Sequence, residues 1–157
     1  MKRTICILIG IVFSIITTAV FFYCLMLSVR ALIGGGLVVT KSDLWIFYAI
    51  VFPAALVFAF VANYLYDKPI LTEKKLWTVT FVAVLCISML TGGVGLLASD
   101  LYTIGHIPQM YNYSGRIGWG LAYSFGLMPF SIVFSLITVK ALVIAIKSIQ
   151  TKEAQYF

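Results

Sequence analysis

The stretch "LWIFYAIVFPAALVFAFVANYLY", residues 44–66, runs for 23 residues without a charge. A bilayer's hydrocarbon core is roughly 30 Å thick, and a helix needs about 20 apolar residues to cross it. This stretch is long enough alone. Backbone N–H and C=O groups find no water in lipid, so such a run must close its hydrogen bonds internally, as a helix does. The every-second-residue alternation of a membrane β-strand is absent.

Three more runs of the same kind surround it, giving expected spans at about 5–28, 44–66, 76–97 and 119–139. Hydrophobic residues make up 62% of the 157 and charged ones 10%, and the mean hydropathy is +1.09. Too few polar residues remain to cover a soluble core. The expected fold is all-α, an integral membrane four-helix bundle forming one domain over 1–157. A hairpin at 98–118, a loop at 67–75 and a tail at 140–157 join or follow the spans. "MKRT" is a fair basic start for a signal peptide, but the apolar stretch behind it exceeds the usual 7–15 residues. The first run is expected to stay as a span.

Charge sets the expected orientation. Lys2 and Arg3 precede span one, Lys68, Lys74 and Lys75 lie between spans two and three, and Lys140, Lys147 and Lys152 follow span four. Only Arg30, Lys41 and Arg116 fall on the other side. The positive-inside rule then places both termini and the middle loop in the cytoplasm. Trp45, Trp119 and Tyr123 mark the outer belt, with Trp77, Tyr64 and Tyr66 at the inner one. The net charge of +6 reads as topology and attraction to membrane lipids, with no direct nucleic-acid partner implied. The inner lysines are candidate contacts for lipid or for a cytosolic effector protein.

Small residues recur at helical steps: Gly10, Ser14 and Thr18 in span one, Ser88 and Gly92 in span three. Such stripes let helix backbones approach. They are the candidate packing positions, either within the chain or along the seam of a homo-oligomer. Pro53 and Pro129 are expected to kink spans two and four.

Most tests for chemistry come back empty. Asp43, Asp67, Glu73, Asp100 and Glu153 all sit at span ends or in loops, whereas proton coupling needs an ionisable group within the membrane. Lys140 comes nearest, and its long stem can snorkel to headgroups. Asn63, the one amide inside a span, is accounted for by a local hydrogen bond. Cys6, Cys24 and Cys86 form no C-x-x-C pair, and one histidine without neighbouring ligands gives no metal site. "GGGLVVTKSD" lacks the second glycine of a phosphate-binding loop, which is Thr40 here. No enzyme constellation and no cofactor are expected.

What remains outside is "HIPQMYNYSGR", residues 106–116. A joining loop needs only small polar residues, yet this one carries aromatic and cationic groups that favour binding patches. Tyr102, His106, Tyr111, Tyr113 and Arg116 are the candidate recognition residues, with outer-belt anchoring as the competing reading. Inside lie "DKPILTEKK" and "KALVIAIKSIQTKEAQYF", whose apolar first half could extend span four.

In architecture the whole chain resembles the small four-span inner-membrane proteins of bacterial conflict. These include pore-colicin immunity proteins, superinfection-exclusion proteins and the membrane subunit of the Kiwa phage-defence system. That resemblance implies a bacterial inner-membrane, multi-pass sensor or scaffold, oligomeric and without catalytic residues, that couples phage attack or toxin insertion to a cytosolic partner. The alternative class is a passive channel or transporter subunit.

Overall fold

The computed structural model describes residues 2–33, 41–68, 72–95, 97, 100–101, 118, 121–122, 124–126 and 128–154, with the side chains at 29, 33, 41–43 and 151–154 left aside. Every described residue except Lys68 and Thr72 is helical. Helix α1 is Lys2–Ile33 and α2 is Lys41–Asp67. Helix α3 is Glu73–Leu90 and passes into a π-helical turn, Thr91–Gly95; α4 is Met128–Ala154. All four are long and apolar enough to cross a membrane.

Local chemistry explains the helix ends. Lys68 precedes Pro69, whose ring disfavours the α conformation just before it, and α2 stops at Asp67. Thr72 is extended (φ −69°, ψ 157°), and its carbonyl accepts the Leu76 N–H at 2.9 Å. Glu73 puts a carboxylate in the first turn of α3, where the helix dipole favours it.

The helices run up, down, up and down. Helix α2 packs against all three others, while α1 and α3 each also line α4. The core gathers Cys6, Phe58, Ala62, Leu65, Ala83, Val139, Leu142 and Ile146, in the half of the bundle nearest the N-terminus. Outward faces carry Val12, Ile16, Phe60, Phe81, Phe130 and Ile144, the composition a lipid-facing surface requires.

Both small-residue stripes point inward. Ser14, Thr18 and Ser88 are buried, as are Gly10 and Gly92. A methyl group on Gly10 would lie 2.6 Å from the Phe58 carbonyl oxygen and 2.7 Å from the Ala62 methyl; one on Gly92 would lie 2.5 Å from a Leu121 methyl. These residues seat α1 on α2 and α3 on the 121–122 segment, so a seam between copies would need other residues.

Pro53 lies inside α2. Having no N–H, it leaves the Ala49 carbonyl without its helical partner. Gly95 of the π-turn packs directly on that carbonyl and on the Pro53 ring, where a side chain at residue 95 would collide with both. Pro129 lies within the helical residues of the fourth segment.

The fourth span runs on into the tail, whose apolar first half extends it. Its described helix does not end near Val139 but continues through Ala154, because 141–149 contains no breaker and buries Leu142 and Ile146 in the core. Residues 119, 120, 123 and 127 lie outside the described set.

Candidate functional site

Polar side chains collect at the two ends of the bundle. At the end holding the N-terminus, the Arg3 guanidinium reaches from α1 to α2. Its Nε donates to Asn63 Oδ1, and Nη2 donates to Asp67 Oδ2 at 3.0 Å. Both Arg3 and Asp67 are about half exposed (52% and 53%), which holds the worth of this pair to about 1 kcal/mol or less. Gln150 Nε2 of α4 donates to the Tyr66 carbonyl of α2 at 3.0 Å. The N-terminus, the α2–α3 connection and the C-terminal part of α4 therefore share one end. Lys68 holds its ammonium 5.5 Å from the Tyr64 ring centroid, and Lys74, Lys75 and Lys147 are exposed. Lys152 lies in the last turn of α4. We call this the basic end.

At the far end, Trp45 Nε1 of α2 donates to Asp100 Oδ1 at 2.8 Å. Asp100 is 0% exposed. Sequence reasoning counted this carboxylate as a loop charge and overlooked it. A signal was present in an acid placed just after the Gly-rich end of span three, with a tryptophan at the matching level of span two. The interaction ties the chain following the π-turn to the first turns of α2.

Between the ends the bundle is sparingly polar. Thr138 Oγ1 of α4 lies 2.9 Å from Thr17 Oγ1 of α1; Thr17 donates its proton to the Phe13 carbonyl, and Thr138 can donate its single proton either to Thr17 or to the Phe134 carbonyl one turn back. Thr138→Val removes the interhelical bond while keeping the shape. We expect a loss of about 0.6 kcal/mol, the usual size for such bonds in membranes, measurable as a small shift of the midpoint in a denaturing-detergent titration. A loss above about 2 kcal/mol would mean that the hydroxyl pair supports more than one contact.

Asn63 is accounted for by Arg3, a partner from another helix, where a local bond was expected. Lys140 lies within α4, which runs on without a break to Ala154. It is exposed, in a row with Val133, Ile137 and Ile144. Ten residues separate it from Gln150, or roughly 15 Å along the axis.

Among the described residues no group of three His, Cys, Asp or Glu could hold a metal. The three cysteines are free: Cys6 is buried, Cys24 exposed and Cys86 half-buried. Tyr102, His106, Tyr111, Tyr113 and Arg116 lie outside the described residues. Comparison with family models, curated proteins and solved structures finds no match to this chain.

Proposed function

We propose that this chain is a non-enzymatic, multi-pass subunit of the bacterial inner membrane with both termini in the cytoplasm. It acts as a sensor or scaffold, coupling an external or intramembrane event such as phage attack or toxin insertion to a cytosolic partner. The observation that carries the proposal is the reach of α2. One end of this helix holds Asp100, at the root of the 98–118 hairpin, through Trp45. Its other end holds Arg3 and Gln150, next to the lysines that would meet a partner or lipid. A displacement of the hairpin would therefore tilt or shift a rod that ends among cytoplasmic contacts. The split of basic residues supports the orientation, and the four-span resemblance supports the setting. Lys140 supports association, because it is exposed on an otherwise apolar row of α4 and a partner's carboxylate or hydroxyl would offset the cost of a lysine facing lipid.

Lys140 also favours one second reading. Copies meeting at that face of α4 would line a polar path, as in a passive channel. Two measurements on the full-length protein separate the readings. The coupling subunit is expected to retain one cytosolic protein in stoichiometric amount when purified from its own cells, and to give no unitary conductance in planar bilayers. Conductance steps from a preparation lacking such a partner would sink the coupling role and favour the channel.

A further inference from the structure

Helices α2 and α3 do not close against each other along their outer edge. They leave an open groove of about 470 Å³ whose wall is apolar almost throughout. Leu56, Phe60 and Tyr64 form one side, and Thr78, Val82 and Leu90 form the other. The groove begins at the basic end, where Tyr64 and Thr78 stand.

Its length is that of one leaflet. From Thr78 to Leu90 is twelve residues and from Tyr64 to Leu56 eight, so the walls are roughly 18 Å and 12 Å long. Half of a hydrocarbon core is about 15 Å.

Its mouth is cationic. Lys68 lies one turn beyond Tyr64 and holds its ammonium near that ring. Lys74 lies one turn beyond Thr78, whose hydroxyl bonds the Lys74 carbonyl at 2.8 Å. A lysine thus lies one turn or so beyond the basic-end residue of each wall, Lys68 just past the end of α2 and Lys74 in the first turn of α3, with Lys75 adjoining. None of the three is in an ion pair with a described residue. The carboxylates nearby are Asp67, engaged by Arg3, and Glu73, which leaves the mouth net positive.

We infer that this groove is a binding site for an anionic phospholipid, with one acyl chain between α2 and α3 and the phosphate at Lys68 and Lys74. Basic pockets between membrane helices bind acidic headgroups in this way. The inference needs the helices to lie in a bilayer with the basic end at one interface, and does not depend on the coupling role.

Native mass spectrometry of the full-length protein tests it, using phosphatidylglycerol and phosphatidylcholine with identical acyl chains. The wild type is expected to retain one phosphatidylglycerol per chain with about tenfold preference. Lys68→Gln with Lys74→Gln should bring the two lipids close to parity, while Lys147→Gln, on α4, should leave the preference in place. Val82→Trp, filling the groove from its exposed rim, should lower retention of both lipids at unchanged helicity. Equal retention of the two lipids by the wild type overturns the site. So does an equal effect of Lys147→Gln, which would mean diffuse attraction to the whole basic end. A Val82→Trp protein that loses a dimer while keeping its lipid would assign the groove to a second copy and overturn the proposal as well.

Discussion

Gly10→Leu is expected to abolish the folded bundle, and Gly10→Ala to destabilise it by about 1–3 kcal/mol, the cost of forcing extra volume into a packed contact. The obstacle at residue 10 is the Phe58 carbonyl, 2.6 Å from where a methyl group would stand, with the Ala62 methyl at 2.7 Å. Backbone cannot swing aside as a side-chain tip can, so α1 would have to back away from α2 along much of their shared length. The better helix propensity of alanine, worth up to about 1 kcal/mol, offsets only part of this. Gly93 is the control, because a methyl group there meets nothing within 4 Å; Gly93→Ala should stay within about 1 kcal/mol of the wild type, on either side. Unfolding in mixed micelles, followed by circular dichroism and protease susceptibility, gives the comparison. Equal effects at residues 10 and 93 would mean that α1 does not seat on α2 through Gly10.

The second large effect is expected at the far end. Asp100→Ala removes a buried acceptor from the half-buried Trp45 indole N–H and should cost about 1–3 kcal/mol. Asp100→Asn keeps an oxygen in the same place, and its cost should be smaller. Trp45→Phe removes the indole donor and should destabilise the same end. The emission of Trp45, isolated by Trp77→Phe and Trp119→Phe, should change with Asp100→Ala if its indole gains water. An Asp100→Ala protein with wild-type stability and emission would remove the Trp45–Asp100 tie from the account of α2 as a link between the two ends.

Features that depend on run length were legible in the sequence. Four apolar stretches became four membrane-length helices, and the residues around Lys68 and Pro69 ended α2 where a breaker and a charge coincide. Features that depend on partners were not. Asn63 could be read as an amide at a helix end, but nothing local indicates that its donor is Arg3, sixty positions earlier. Asp100 reads as a loop charge until Trp45 is seen beside it. The facing of Gly10, Ser14 and Thr18 was ambiguous for a different reason: α1 is apolar on every side, so hydropathy cannot distinguish its inner stripe from its outer one. Lys140 reads as the charge that closes the fourth span, and Leu142 and Ile146 hold the helix in the core well beyond it. The segment 98–118, expected to be a hairpin carrying the candidate recognition residues, lies mostly outside the described residues.

The hydroxyls inside the helices have a consequence for how such a chain is made. Thr17 bonds the Phe13 carbonyl, Thr80 that of Leu76, Thr91 that of Ile87 and Thr138 that of Phe134, all one turn back on the same helix. Ser14 does the same toward Ile11 and Ser131 toward Met128. Each segment therefore leaves the translocon with these hydroxyls already satisfied, and it can wait in the bilayer without its neighbours at little polar cost. Insertion and assembly become separable events. A chain truncated after residue 40 and released from the ribosome should leave α1 stably embedded, with none of the helices it packs against present.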